Sequence, residues 1–324
     1  MAVQPRAVGG RRLPTPAGGS RPAALAHHVL LIIQALVLGL VQGLTEFLPV
    51  SSSGHLQGVP YLLGWEPSTL SFDVMVHAGT LLAVVLYFRD DLVWLATRSV
   101  GRGAADATEV RRARSVVLLL AIGTLPAAVA GLAFESTFEA AFASPRAVAG
   151  FLYVTAGLLA GAELLRRRRA AATLGKTSRE LVGDERHLDV GRREDTLTMR
   201  DVAVIGVAQA VAIFPGISRS GATIAAGMTI GLSRAAAARF SFLLSIPVIL
   251  GATFSQLRGF GEPIPGALPF GVLETAIGVT AAAVSGYWAI RFLLRLVKTD
   301  DLFGFARYVV VAASLLLAGT FMIG

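Results

Sequence analysis

Gly39-Leu-Val-Gln42-Gly-Leu-Thr45-Glu46-Phe-Leu-Pro49-Val-Ser51-Ser52-Ser53-Gly54-His55 is an apolar segment that turns polar part-way along, and the chain holds an echo of it. Aligning Gly39 and Gln42 with Gly206 and Gln209 also matches Phe47 with Phe214, Ser51 with Ser218, Ser53 with Ser220 and Gly54 with Gly221. The offset is a constant 167 (221 − 54). A proline precedes the serines in each copy, Pro49 and Pro215, one place out of register. Three apolar stretches lie between the copies, at 71–88, 115–134 and 146–165. An odd number of crossings inverts the second copy relative to the first. Broken helices that meet at mid-membrane in an inverted repeat are one way to build a polar site inside lipid.

The solvent is set by composition. Of 324 residues, 54% are hydrophobic and 15% charged, with a mean hydropathy of +0.66. Soluble domains carry about a quarter charged residues, so this chain is read as a lipid-embedded, all-α polytopic protein. Further apolar stretches run at 25–44, 202–217, 236–257, 267–294 and 304–323. About 20 helical residues cross a bilayer core. Six spans are expected, at 71–88, 115–134, 146–165, 236–257, 267–294 and 304–323. The broken segments 25–65 and 202–232 are expected to be discontinuous or re-entrant elements.

Charged connectors at 89–114, 166–200 and 291–301 belong inside by the positive-inside rule, and 135–145, with Glu135 and Glu139, belongs outside. The formal net charge of +8 therefore reads as loop charge facing anionic headgroups. It does not point to nucleic acid, because the basic run Arg166–Arg169 has no interleaved aromatics for stacking. Residues 1–24 read as a disordered basic tail. The chain from 25 to 324 reads as one membrane domain: repeat one at 25–165, a cytoplasmic loop at 166–200 and repeat two at 201–324. The tail arginines favour an internal N-terminus, whereas six spans with two re-entrant pairs put it outside. No cysteine is present, which excludes disulfides and thiolate chemistry.

Ionisable groups in an apolar segment are costly and usually functional, which singles out Glu46 and His55. Pro49 and Gly54 break the helix and free backbone amides for an anion. The second motif, Pro215-Gly216-Ile217-Ser218-Arg219-Ser220-Gly221-Ala222-Thr223, places a guanidinium among hydroxyls at the start of a helical run, an arrangement suited to phosphate. Together the motifs predict phosphate-ester or phosphoanhydride hydrolysis. Arg219 neutralises the phosphoryl group, a serine hydroxyl or water attacks, and His55 or Glu46 moves the proton. A substrate reached from within a membrane is a phospholipid or polyprenyl phosphate.

The two motifs at 39–55 and 215–223, with Phe72-Asp73-Val-Met-Val-His77-Ala-Gly79-Thr80, resemble the undecaprenyl-diphosphate phosphatase family of the bacitracin-resistance type, from about residue 28 to the end. The resemblance implies hydrolysis of undecaprenyl diphosphate to the monophosphate at the outer face of the cytoplasmic membrane. That reaction recycles the lipid carrier of cell-wall synthesis. It also implies an inverted repeat with two re-entrant pairs. It points to Ser52 as nucleophile with His55 its partner, Glu46 beside them and Arg219 as phosphate clamp. Gln42, Ser51, Ser53, Ser218, Ser220 and Thr223 are the supporting, substrate-binding positions. Family members are associated with a divalent cation, Mg or Ca. With Gln42 in the first place of the family's Glu/Gln-x3-Glu pattern only one carboxylate remains, so the cation is treated as optional. No organic cofactor is expected; membrane lipids and a second copy in a homodimer are the expected partners.

Two other classes compete. The acid-phosphatase-like lipid phosphatases share Ser-Gly-His and Ser-Arg fragments, but Ala225 stands where their nucleophilic histidine belongs. A polyprenyl-phosphate translocase could use the same inverted repeat and arginine, yet has no need of His55 beside Ser52. His77 reads as a packed or interfacial histidine narrowly ahead of a catalytic one, Asp73 as support for the site or an interfacial cap, and His27 and His28 as interface residues.

Overall fold

The computed structural model describes residues 21–102, 106–174, 189, 191–256, 268 and 270–322. Residues 1–20 of the basic tail and part of the 166–200 connector (175–188 and 190) lie outside them. Among the described residues there are helices and one isolated bridge, Arg192 to Leu232, and no strand. The helices are α1 Arg21–Phe47, α2 Ser52–Leu63, α3 Leu70–Tyr87, α4 Arg89–Ser99, α5 Ala107–Ala133, α6 Glu135–Phe142 and α7 Pro145–Leu174. They continue with α8 Met199–Val211, α9 Arg219–Thr229, α10 Arg234–Gln256, α11 Val272–Thr299 and α12 Phe303–Met322.

The protein is an all-α, multi-pass membrane protein. Six helices are long and apolar enough to cross a bilayer: Leu25–Phe47, Ala107–Ala133, Pro145–Ala172, Arg234–Phe254, Val272–Thr299 and Phe303–Met322. One of the six differs from expectation. The polar residues of α1 do not break it, because Gln34, Gln42 and Glu46 all face inward and are buried, so the helix runs unbroken to Phe47. The stretch 71–88 instead ends at Arg89-Asp90-Asp91, where α3 and α4 meet with a bend of 72°. The connectors also shrink. Arg166–Arg169 continue α7 to Leu174, and Arg291, Arg295 and Lys298 lie within α11.

Close helix contacts rest on small residues. Gly39 and Gly43 of α1 lie directly on α11, against Gly278 and against Ala282 and Ser285, with no room for a Cβ. On the other side of the molecule, a Cβ on Gly206 of α8 would sit 2.9 Å from the Gly123 carbonyl of α5. Glycine lets backbones approach where lipid supplies no hydrophobic drive between helices.

α1 runs alongside α11 in the same direction. His28 meets Glu274 at the start of α11, at 3.1 Å, and Gly43 meets Ser285 further along. The basic ends gather at the opposite end of α11. There the Arg167 guanidinium donates to Asp301 at 2.6 Å, Arg239 pairs with Asp91, and the fully buried Arg234 donates twice to Glu163, at 2.6 and 2.9 Å. Arg166 adds a third bond to Glu163, at 2.9 Å. Such pairing is what permits a charge to be buried at all. It ties α7 to α10 and to the turn before α12.

Candidate active site

Two chain breaks meet in the interior. Pro49 cannot continue α1, and Ser51 adopts φ 75°, the one positive φ on a non-glycine residue among those described. Such strain is held only where its surroundings impose it. The second break bends at Gly216, φ 98°, where a Cβ would strike the Val148 carbonyl.

Both breaks then begin a helix with the same cap. Ser51 Oγ accepts from the Gly54 amide at 3.3 Å and lies 3.2 Å from Ser53 Oγ. Ser218 Oγ accepts from the Gly221 amide at 3.0 Å and lies 3.1 Å from Ser220 Oγ. The two turns also grip each other: the Gly216 amide donates to Ser53 Oγ at 3.3 Å, and Ser220 Oγ donates to the Leu48 carbonyl at 3.0 Å.

Glu46 is the centre of the site. It is buried, 7% exposed at the end of α1. Its Oε1 accepts from Arg219 Nη2 at 2.7 Å, and its Oε2 from Ser52 Oγ at 2.7 Å and from Gln42 Nε2 at 3.1 Å. A carboxylate with this set of donors is held as the anion. Arg219 also donates through Nη1 to the Ser241 carbonyl at 3.3 Å. A guanidinium has five N–H groups, so donors remain for a ligand. Thr223 donates to the Arg219 carbonyl at 2.8 Å and shares a 2.6 Å contact with Ser241 Oγ. Ser52 is half-buried, so its oxygen combines access with a basic neighbour.

Of the residues named from sequence, Gln42, Glu46, Ser52 and Arg219 therefore form one hydrogen-bonded cluster. Ser51, Ser53, Ser218, Ser220 and Thr223 use their hydroxyls to build the turns around it. His55 stands apart. Its Nδ1 is 2.7 Å from the Ser51 carbonyl, and its Nε2 is 2.8 Å from the Tyr308 hydroxyl, with the two rings stacked at 5.6 Å. A carbonyl only accepts, so Nδ1 carries the proton and the phenol donates to Nε2 of the neutral ring. The Ser52–His55 partnership is thus not made: both ring nitrogens are taken, and the serine faces Glu46.

Three contributors escaped the sequence reading, and a fourth, His77, enters it only as a packed or interfacial residue narrowly ahead of a catalytic one. His77 Nε2 lies 3.9 Å from Glu46 Oε2, not in plain packing or at an interface. Thr155 of α7 accepts from the Ser218 amide at 2.9 Å and donates to the Gly216 carbonyl at 2.8 Å. Ser241 and Tyr308 come from α10 and α12. A lone Ser, Thr or Tyr in a membrane helix carries no local signal. Asp73 accepts from Ser68 at 2.6 Å in the first turn of α3.

The family model described as bacitracin resistance protein BacA matches residues 35–315, which include both turns. The chain belongs to this family. Among curated members, the undecaprenyl-diphosphatase of Geotalea daltonii is 39% identical over 287 residues, 88% of this chain and 97% of its own length. That of Geobacter sulfurreducens is 39% identical over 90% of this chain and 98% of its own length. The undecaprenyl-diphosphatase of Rubrobacter xylanophilus is 42% identical, with the same 90% and 98% coverage. The family match thus spans the inward face of α1, the two capped turns and the helices that enclose them.

Proposed function

We propose that the chain is an integral membrane hydrolase that cleaves undecaprenyl diphosphate to undecaprenyl phosphate and inorganic phosphate. The observation that carries this is the double engagement of Glu46, with Ser52 on one oxygen and Arg219 on the other. The names of its near full-length relatives supply the lipid. In this reading the free N–H groups of Arg219 and the amides of the two capped turns hold the terminal phosphoryl group. Ser52 Oγ attacks its phosphorus and passes its proton to Glu46 as the bridging P–O bond breaks. Undecaprenyl phosphate leaves. Water then cleaves the seryl phosphate, and the Ser52 oxygen recovers its proton from Glu46.

The cation implied by resemblance fits poorly. Among the described residues no three His, Asp or Glu side chains stand together as ligands. The oxygens of Glu46 already hold Arg219, Ser52 and Gln42, and a guanidinium repels a second cation. No step is assigned to a metal.

Location in the cell membrane with the site open to the outer face rests on the resemblance and on charge. The end rich in Arg166, Arg167, Arg295 and Lys298 belongs inside, and α1 begins at the other end, beside Glu274. In this reading the N-terminus lies outside. The same reading takes α1, though long enough to cross, as the first arm of a re-entrant pair α1–α2 that turns back at Pro49 and is the inverted counterpart of α8–α9. Glu66→Cys, in a chain without other cysteines, should then react with an impermeant maleimide added to intact cells, and Arg102→Cys should not. The reverse pattern would invert the topology.

The activity is tested with purified protein in detergent, following phosphate release from undecaprenyl diphosphate. Release by the wild type and its loss in a Glu46→Ala, Arg219→Ala double variant are expected. No release by the wild type, or full release by that variant, sinks the reading, and transfer of the lipid across vesicles without hydrolysis would favour a translocase.

A further inference from the structure

We infer that His77 is a further catalytic residue of this site, the group that gives a proton to the bridging oxygen of the leaving lipid phosphate. The inference rests on the hydrolase reading above. That reading gives Glu46 the proton of Ser52 and leaves the departing oxygen without a donor. Charge grows on that oxygen in a site where two Arg219 donors are already committed to Glu46 and Ser241. A positioned acid is most effective there.

Two histidines stand near the turns, and their hydrogen bonds separate them. His55 has both nitrogens occupied, by Ser51 and Tyr308. His77 has one: Nδ1 is 2.7 Å from the Asp73 carbonyl, which fixes the proton on that nitrogen. Its Nε2 is left aimed at Glu46 Oε2 across 3.9 Å. That gap exceeds a hydrogen bond and leaves Nε2 free for a third atom. The ring is a third exposed, whereas Glu46 is 7% exposed, so His77 is the more accessible of the two.

Two carboxyl groups stand beside His77. Glu46 faces it from α1 and Asp73 from its own helix, with Arg219 of α9 beyond Glu46 and bound to it. The charged groups of the other helices packed on α3 have partners elsewhere or lie far along their helix. On α10, Arg234 is bound to Glu163 and Arg239 to Asp91 and Glu194. On α11, Glu274 is bound to His28 and Tyr287 packs on Tyr87, while Arg291, Arg295 and Lys298 follow nearer its end. On α4, Asp90 pairs with Arg89, and Arg98 with Glu109 of α5.

The proton count closes over the two half-reactions. In the first, Ser52 Oγ bonds to phosphorus, its proton goes to Glu46, and the bridging oxygen leaves with the Nε2 proton of His77. In the second, water attacks the seryl phosphate and gives a proton to His77 Nε2, while Ser52 Oγ leaves with the proton held by Glu46. Both groups return to their starting states and one water is consumed.

The test uses the purified full chain in detergent with undecaprenyl diphosphate, from about pH 5 to 9. His77→Gln should lower kcat on the order of 10²-fold with KM within a few-fold. The alkaline limb of the wild-type kcat/KM profile should disappear. Added imidazole should restore part of the rate of His77→Ala. Wild-type kcat and an unchanged pH profile in His77→Gln overturn the inference. So does a loss confined to KM, or a slow His77→Ala that imidazole does not rescue. A wild type without phosphatase activity would overturn the hydrolase reading itself, whatever the variants do.

Discussion

The turns at Ser51–Gly54 and Ser218–Gly221 share a cap, a serine pair and a grip on each other, yet one residue between the serines differs. In the first turn it is Ser52, in the second Arg219, and both side chains end on Glu46 at 2.7 Å. The preceding helices diverge in the same way. Gln42 donates to Glu46, whereas Gln209, its counterpart, donates to the Gly123 carbonyl of α5 at 3.0 Å. Where the first copy has Glu46, the second has Ile213. The two matched turns thus bring a hydroxyl and a carboxylate from one half of the chain to a cation from the other. Opposite charges drawn from two copies can stand in one apolar interior because each neutralises the other.

The largest effects should come from erasing that difference. Ser52→Ala should lower kcat by roughly 10³-fold or more, and Arg219→Ser, which copies the first turn into the second, by about 10²–10³-fold. Phosphate release under saturating lipid measures both. Activity within tenfold of wild type in either would end the division of labour.

Backbone strain comes next. Gly216→Ala puts a Cβ on a positive φ and onto the Val148 carbonyl, and should destabilise by about 2–4 kcal/mol, read as a fall in Tm in detergent. Ser51→Gly, at the corresponding bend, relieves φ 75° while removing a cap that glycine replaces at a cost of a few tenths of a kcal/mol. Its Tm should stay at or above that of the wild type. Equal losses in both variants would show that the bends are not distinct.

Ser218→Ala removes the cap from α9 without relieving strain and should cost about 1 kcal/mol. The smallest effect belongs to Tyr308→Phe. It removes one hydrogen bond from His55, about 1 kcal/mol, and should leave kcat within a few-fold of wild type. A loss as large as that of Ser52→Ala would restore His55 to the reacting group.

The membrane environment, helical class and both polar turns were legible in the residues, because lipid makes every charge in an apolar run conspicuous. The offset of 167 (221 − 54) between the motifs carried the local geometry as well, since caps depend on residues three apart. Helix limits were less legible. α1 runs through Gln34, Gln42 and Glu46 because all three face the protein interior, where Gln42 donates to Glu46. α7 and α11 carry their arginines well beyond the apolar stretch, since charge at a helix end can reach headgroups or a partner such as Asp301.

By itself the sequence determined that this chain lives in lipid and bears Glu46, Ser52, His55 and Arg219 in two matched turns. Local composition and spacing encode that much. Only the tertiary structure decided which of them touch. It turned Ser52 toward Glu46 and His55 toward Tyr308, and it brought His77 to 3.9 Å from the carboxylate. Those choices depend on how α1, α3, α9 and α12 pack, and no spacing along the chain records the distance between helices.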